Sequence, residues 1–184
     1  RNQGKQTMQN QDSLKITLIM VMSANGMISQ ERDQDSFEWN SPDDRKQLLE
    51  KIQSIGNVLM GANTYRIIED RLYRGVNFFV LTHHLSRFRP HKQVTFIQGD
   101  ALDVCQQLQK KKITHIALLG GAKTNSIFLD ANKVDELFLT IEPLLLPAEI
   151  SLANQLQDIC RLKLLNVDRL PNGQTLLLHY RVEK

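Results

Sequence analysis

Short apolar runs alternate with helix signals along most of this chain, and that alternation limits the fold more than any other feature. The first run, Lys15 to Met22, is almost continuously apolar, which is typical of a buried strand. Further strands are predicted at 58–60, 77–82, 93–98, 115–119 and 136–141. Strands that alternate with helices in this order form a mostly parallel sheet between two helical layers. The sequence therefore predicts a three-layer α/β domain.

The helix signals fall between these strands, and the end of the chain departs from them. Ser41 as N-cap and Pro42 at the first helical position begin a helix that Gly56 ends. Other helices are predicted at 63–70, 101–111 and about 123–130. Segments 161–168 and 174–182 flank Pro171-Asn172-Gly173, which is a hairpin signal. We therefore expect an antiparallel hairpin at the C-terminal edge of the parallel sheet.

Composition restricts the class of protein but not its chemistry. The chain has 184 residues, of which 41% are hydrophobic and 23% charged, and its formal net charge is +3. Opposite charges are interspersed, so no nucleic-acid partner is indicated, and no apolar run is long enough to cross a membrane. Residues 1–13 read as a polar tail, and 14–184 as a single domain.

Cys105 and Cys160 lie far apart without metal-ligand spacing, which predicts free thiols in a reducing, cytoplasmic compartment.

Three strand ends carry small or hydroxylic residues that lead into the next element. They are Gly61-Ala62-Asn63-Thr64, Leu81-Thr82-His83-His84 and Gly120-Gly121-Ala122-Lys123-Thr124. Glycine at a strand-to-helix turn lets backbone amides approach an anion, and a helix N-terminus favours negative charge. Each turn alone also fits a tight-turn glycine. If all three share one edge of the sheet, they suit a dinucleotide, although neither the G-x-G-x-x-G nor the P-loop pattern is present.

Asp44 is the most informative carboxylate in the sequence. It lies on the apolar stripe of its helix with Leu48 and Ile52, whereas Asp43 falls on the polar face. Partial desolvation raises the pKa of a carboxyl group and suits general-acid catalysis. Ser41 and Asp44 also have the spacing of a capping box, so a structural role is the alternative.

Two other chemical signals are weaker. His83 and His84 could form a metal pair, but adjacent side chains at a strand end point apart and no third ligand is near in sequence. Contact with a phosphate or an adenine is the favoured interpretation, and no metal site is predicted. Trp39, the only tryptophan, reads as a core or lid residue, with ligand stacking as the alternative.

Taken in order, these segments resemble the dihydrofolate reductase superfamily over residues 15 to about 147. The likeness is greatest to the C-terminal reductase domain of the bifunctional riboflavin-biosynthesis deaminase/reductase. The segment from Met22 to Ile28 resembles that branch's Met-Ser-x-Asp-Gly-x-Ile sequence, with Asn25 where the acid is usual. Gly120-Gly121-Ala122 followed by segment 134–146 is close to the signature of the same branch.

Other residues resemble dihydrofolate reductase proper. Segment 39–44 keeps the W-x-x-P-x-D spacing that ends on the pterin-binding acid, and 60–65 resembles the M-G-x-x-T-[WY] cofactor turn. Thr140 occupies the strand position that supports the acid. The arginine that binds the glutamate tail of folate is Val76 here, and 69–72 stands where the riboflavin branch has D-D-P-x-L.

The resemblance implies NADPH as cofactor and assigns site residues. Asp44 would handle the proton and Thr140 would support it. The implied substrate contacts are Asn25, Trp39, Asp44 and Leu48. Residues around the nicotinamide would be Val21, Met22, Ala24 and Ile28. Those around the phosphates and the adenosine would be Gly61, Ala62, Asn63, Thr64, Leu81, Thr82, His83, Gly120, Gly121, Ala122, Lys123 and Thr124.

The expected activity is an NADPH-dependent reductase that transfers hydride to a phosphoribosylamino-pyrimidine. The alternatives are a dihydrofolate or other pterin reductase and a nucleotide-binding protein of this fold without catalysis. A homodimer is expected from the resemblance. About 170 residues suffice for the reductase domain, so a deaminase is expected to be a separate chain.

Overall fold

An eight-stranded sheet runs through the molecule, in a computed structural model that describes residues 13–31, 34–147 and 149–184. The described residues form ten strands, of which β2 and β8 make a separate two-stranded sheet. The strands are β1 (Lys15–Ser23), β2 (Met27–Ser29), β3 (Asn57–Gly61), β4 (Asn77–Leu81), β5 (Val94–Ile97), β6 (His115–Leu118), β7 (Glu136–Glu142), β8 (Ile150–Ser151), β9 (Leu162–Arg169) and β10 (Leu176–Val182). The helices are α1 (Pro42–Ile55), α2 (Ala62–Ile68), α3 (Ala101–Lys110) and α4 (Ala122–Asp130). The predicted tail lies outside the described residues except for Ser13.

The strand order is β5-β4-β3-β6-β1-β7-β10-β9. Neighbouring strands from β5 to β7 are all parallel, while β10 is antiparallel to both β7 and β9. This arrangement confirms the predicted parallel sheet with an antiparallel C-terminal hairpin. It also confirms that β3, β4 and β6, which precede the three turns, end at one edge of the sheet.

Helices cover both faces of this sheet, as the three-layer prediction requires. On one face, Ile52 of α1 and Tyr65 of α2 pack with Val58, Met60 and Val80 from the strands. On the other face, α3 and α4 pack against the strands, and their fully buried side chains include Val104, Leu108 and Phe128. Within the described ranges, no helix is long and apolar enough to cross a membrane.

Two very short strands were not predicted. The sequence predicts neither a strand nor a helix in segment 23–40, but β2 within it pairs antiparallel with β8, and 36–38 forms a 3₁₀ turn. Strands of two or three residues have too little periodicity to be recognised from sequence. Long-range contacts define them instead: the side chain of Asn25 donates to the Leu146 carbonyl at 2.9 Å and accepts from the Leu146 amide at 3.1 Å.

The turn of the β9–β10 hairpin contacts the start of α1, far away in sequence. The backbone amide of Asn172 donates to the Asp43 carboxylate at 2.7 Å. The Asn172 side chain donates to the Thr175 hydroxyl at 2.8 Å, which keeps the turn closed. The antiparallel edge of the sheet is therefore connected to the helix that carries Asp44.

Candidate active site

A cavity of about 780 Å³ opens along the carboxyl ends of the parallel strands. All three predicted turns contribute to its wall, as do the end of β1 and the inner face of α1. In open α/β sheets, ligands bind at this edge because the strand-to-helix turns present backbone amides there. The cavity is therefore the candidate active site.

The first and third turns pack directly against each other. The Gly61 amide donates to the Gly120 carbonyl at 2.8 Å. A Cβ atom added to Gly61 would lie 2.5 Å from Oγ1 of Thr124, and one added to Gly121 would lie 3.4 Å from Oγ1 of Thr64. These glycines let two helix starts come close together. The two turns therefore form one continuous wall.

Both helices begin at this wall without a capping side chain. The N-cap residues of α2 and α4 are Gly61 and Gly121, and among the described residues neither helix start has a side-chain cap. Amides at a helix start that lack partners favour an anion. Lys123 lines the cavity beside them. This cradle fits the pyrophosphate of a dinucleotide.

The far end of the cavity is basic and aromatic. Arg66 and Arg87 line it, and the guanidinium of Arg66 lies 5.2 Å from the centre of the Phe88 ring. Phe88 also stacks on Phe96, with ring centres 4.9 Å apart. His83 and His84 line the same end and are exposed. Within the described residues, no group of three or more His, Cys, Asp or Glu side chains could hold a metal ion.

Asp44 lies in the wall of the cavity and is only 3% exposed. Burial raises the pKa of its carboxyl group. Two hydrogen bonds to the Asp44 carboxyl group oppose that increase in pKa. One comes from the Thr140 hydroxyl, and the other from the side-chain amide of Asn40, which donates at 2.7 Å. The negative charge of Glu142 raises the pKa further, and Arg45 lowers it. The arrangement holds a carboxyl group that can keep a proton beside a ligand.

Of the two hydrogen bonds that define a capping box, Ser41 and Asp44 form only one. The Ser41 hydroxyl accepts from the Asp44 amide at 3.2 Å, as an N-cap should. The reciprocal bond is different, because the Ser41 amide donates to Oε1 of Glu142 at 2.8 Å. The carboxyl group of Asp44 therefore does not cap its own helix.

Glu142 is a site residue that sequence reasoning missed. It ends β7, is 3% exposed, and accepts a second hydrogen bond from the Thr175 hydroxyl at 2.8 Å. In sequence it stands within an apolar strand pattern, where nothing indicates that its carboxylate is buried. The sequence contains no local signal for it, since its partners are 33 and 101 residues away.

Most of the predicted site residues do line the cavity. They are Val21, Ile28, Asp44, Leu48, Gly61, Ala62, Asn63, Thr64, Leu81, Thr82, His83, Gly121, Ala122, Lys123 and Thr124. Thr140 lies behind them and reaches the site through its hydrogen bond to Asp44.

Besides Thr140, five predicted residues are not part of the lining: Met22, Ala24, Asn25, Trp39 and Gly120. Met22 packs against the core on the face of the sheet that α3 and α4 cover. Ala24 and Asn25 lie in the exposed turn after β1. Gly120 supports the wall through its carbonyl and its φ of +89°.

Phe37, rather than Trp39, is the aromatic side chain of this loop that lines the cavity. Its ring lies between two guanidinium groups, with Arg71 at 4.9 Å and Arg45 at 5.4 Å from the ring centre. Arg71 also pairs with Asp35, which lines the cavity too. Trp39 instead has a buried indole nitrogen with no hydrogen-bond partner among the described residues.

This fold, with its cavity at the strand ends, is that of the dihydrofolate reductase class. Dihydrofolate reductase of Enterococcus faecalis, solved with NADP(H) and RAB-propyl, is 16% identical with a TM-score of 0.69 over 92% of this chain and 97% of that one. The profile of the RibD C-terminal domain family matches residues 14–176. The chain belongs to that family.

Other solved structures share this fold, and one curated protein is similar in sequence. A putative riboflavin biosynthesis protein of Shewanella sp. PV-4 has a TM-score of 0.77 and 18% identity over 93% of this chain and 100% of that one. The deaminase/reductase of Thermotoga maritima has a TM-score of 0.73 and 16% identity over 93% of this chain and 57% of that one. The uncharacterized protein YwjB of Bacillus subtilis (strain 168) is 26% identical over 90% of this chain and 97% of the relative.

Proposed function

We propose that this protein is an NADPH-dependent reductase that transfers hydride to a carbon–nitrogen double bond in a phosphoribosylamino-pyrimidine. One observation carries the proposal. A buried acid with a raised pKa, Asp44, stands in the wall of the same cavity as two helix starts without side-chain caps. Together they provide a proton donor for the substrate and an anion-binding site for the cofactor in one cavity.

Different residues of the cavity would bind different parts of the cofactor. The glycine wall at Gly61 and Gly121 would hold the pyrophosphate, and Val21 and Ile28 would border the nicotinamide. The basic end would face the adenosine and is lined by Arg66, Arg87 and His83. These side chains can bind the negatively charged 2′-phosphate of NADPH more strongly than the uncharged 2′-hydroxyl of NADH. This basic end supports NADPH over NADH.

Asp44 supplies the proton that the reaction needs. Bound NADPH would supply a hydride for the carbon of the double bond, and the nitrogen of the same bond would take a proton. Asp44 holds that proton at its carboxyl group, since burial favours the neutral acid. Thr140 and Asn40 orient the carboxyl group by hydrogen bonds. The product is a CH–NH group with one hydride and one proton added.

The substrate end of the cavity favours a polar pyrimidine over a pterin with a glutamate tail. Ser29, Gln34, Asp35 and Ser36 line the cavity and offer several hydrogen-bonding groups. Val76, at the position of the folate-clamping arginine, is 2% exposed and packs in the core. The Thermotoga relative is described as a 5-amino-6-(5-phosphoribosylamino)uracil reductase, which supports the same substrate class.

Thermal unfolding with a panel of ligands separates this function from the alternatives. A ligand that binds only the folded protein raises its midpoint temperature. We expect an increase with NADPH, a smaller one with NADH, and none with dihydrofolate or methotrexate. An increase with methotrexate would favour the pterin reductase. No increase with either nicotinamide dinucleotide would contradict the reductase proposal.

We also propose a homodimer that forms through strand β9. All eight residues of β9 are exposed, including Leu164 at 50% and Val167 at 48%, and β9 is the last strand of the sheet among the described residues. An antiparallel pairing of two copies about the midpoint of β9 places Lys163 opposite Asp168 of the other copy and Leu164 opposite Val167. Edge strands pair readily in this way.

The mass in solution tests the dimer. We expect wild-type protein at twice the chain mass of 21.2 kDa and Leu164→Lys at the monomer mass. Leu102→Lys is the matched control, because Leu102 is an equally exposed leucine (51%) on α3 and should leave the dimer intact. A monomeric wild type, or a dimer that persists in Leu164→Lys, would exclude this interface.

A further inference from the structure

Two carboxyl groups are buried at the start of α1, and only one of them faces the cavity. Asp44 lines the wall, whereas Glu142 lies behind it at the end of β7. Both are 3% exposed. A buried carboxylate is costly unless it is well hydrogen-bonded. The contacts of Glu142 therefore indicate what it does there.

Glu142 connects three elements that are distant in sequence. Its Oε1 atom accepts from the amide of Ser41, the N-cap of α1, at 2.8 Å. Its Oε2 atom accepts from the Thr175 hydroxyl, which precedes β10, at 2.8 Å. The Ser41 hydroxyl in turn accepts from the Asp44 amide at 3.2 Å. A chain of hydrogen bonds therefore runs from the hairpin through Glu142 to the residue at the cavity.

We propose that Glu142 is a positioning residue for the reduction: its carboxylate holds the start of α1 against β7 and so fixes the Asp44 carboxyl group at the cavity wall. The part of this inference that concerns turnover rests on the proposed function. Glu142 is not among the lining residues, so it acts through Ser41 and Asp44 and not through the ligand.

The negative charge of Glu142 adds an electrostatic effect to this tether. The groups that face Asp44 are Asn40, Arg45, Thr140 and Glu142. Burial of Asp44 and the Glu142 charge raise its pKa, and the other three groups lower it. The Arg45 guanidinium donates its own hydrogen bonds to the Phe37 carbonyl at 2.7 Å and to the Asn40 side chain at 2.8 Å. Glu142 therefore favours the neutral acid that donates a proton.

Two substitutions at this position separate the tether from the charge. Glu142→Gln keeps the length and an acceptor for the Ser41 amide but removes the charge. Glu142→Asp keeps the charge but shortens the side chain, so it no longer reaches Ser41. Glu136→Gln is the matched control, because Glu136 begins the same strand and lies six residues, or about 20 Å, from Glu142. Its partners are Lys15 and His179 at the surface.

Direct titration of Asp44 by carbon NMR of aspartate-labelled protein gives a readout that needs no turnover. We expect the Asp44 carboxyl group to titrate at lower pH in Glu142→Gln than in wild type, and unchanged in Glu136→Gln. In NADPH oxidation, the alkaline limb of the kcat/KM profile should move to lower pH in Glu142→Gln. NADPH affinity should be unchanged. In Glu142→Asp, kcat should fall while the Asp44 titration stays near that of wild type.

Each result tests a different part of the proposed role of Glu142. An Asp44 titration that is the same in Glu142→Gln and wild type would overturn the electrostatic effect, and a wild-type kcat in Glu142→Asp would overturn the tether. A shifted titration without NADPH oxidation in any variant, wild type included, supports the effect of Glu142 on Asp44 and contradicts the reductase. A variant that only lowers the unfolding temperature, with titration and kcat unmoved, would reduce Glu142 to a structural residue.

Discussion

The parallel half of the sheet and its antiparallel end contribute to the site in different ways. The parallel strands β3, β4 and β6 each end in a turn whose own backbone and side chains line the cavity. The hairpin β9–β10 is not part of the lining, yet its turn reaches the start of α1 directly through Asn172 and, by way of Glu142, through Thr175. The groups that line the cavity therefore come from local turns, whereas the environment of the Asp44 carboxyl group depends on contacts that are distant in sequence.

The largest effect should come from the acid that both regions serve. Asp44→Asn should lower kcat by about 10² to 10⁴-fold, since it removes the proton donor, and leave NADPH affinity nearly unchanged. Steady-state kinetics and calorimetry measure the two quantities. Asp43→Asn is the control, because this neighbour faces the hairpin turn and an asparagine can still accept from the Asn172 amide. Equal activity in Asp44→Asn and wild type would make Asp44 a purely structural residue.

A second substitution disrupts the wall in the parallel half. Gly61→Ala places a methyl group 2.5 Å from Oγ1 of Thr124, so the Thr124 side chain must change rotamer or α4 must move away from α2. Overpacking of this kind costs about 1–3 kcal/mol of stability, and NADPH binding should weaken with it. Thermal unfolding with and without NADPH measures both effects. Gly61→Ala/Thr124→Ala should be less affected than the sum of the single variants, whereas additive losses would show that the contact is not tight.

A third substitution disrupts the antiparallel end. Thr175→Val keeps the size of the side chain but removes the hydroxyl group that donates to Glu142 and accepts from Asn172. Unsatisfied buried polar groups should lower the free energy of unfolding by about 1–3 kcal/mol. Denaturant unfolding measures this loss. Thr175→Ser retains the hydroxyl group and should recover most of the stability; equal losses in the two variants would assign the effect to packing.

The smallest predicted effect is on the pH dependence of stability. Folding raises the pKa of Asp44 above its ordinary value of 3.8, so between those two pKa values the folded chain holds a proton that the unfolded chain has already released. Stability is therefore lost as pH rises from 3.8 through the folded pKa. Asp44→Asn removes that loss, and its unfolding temperature relative to wild type should increase from acid to neutral pH. A constant difference would contradict the raised pKa.

Sequence alone predicts the turns and Asp44 because their signals are local. Glycines after apolar strands mark Gly61 and Gly121, and helical spacing places Asp44 with Leu48 on the inner face of α1. The parallel order and the terminal hairpin follow from the same periodicity. These features need no knowledge of what lies opposite them in the fold.

The residues that sequence did not predict depend on distant partners. Asn25 was predicted to contact substrate, but both of its polar groups bind the backbone of Leu146 across 121 residues. Phe37 takes the place expected for Trp39 because Arg45 and Arg71 hold its ring at the cavity. The carboxylate of Glu142 can be buried because the Ser41 amide and the Thr175 hydroxyl donate hydrogen bonds to its two oxygens. Tertiary contacts alone decide these positions.

Oxidation of NADPH in the presence of the phosphoribosylamino-pyrimidine is the most direct test of the proposed reductase activity. We predict substrate-dependent turnover by the wild-type protein, a product reduced at the ribosylamine carbon, and a turnover that falls sharply in Asp44→Asn. Binding of NADPH without any turnover of this substrate or of dihydrofolate would contradict the proposed activity. In that case the cavity would be a nucleotide-binding site on a reductase fold.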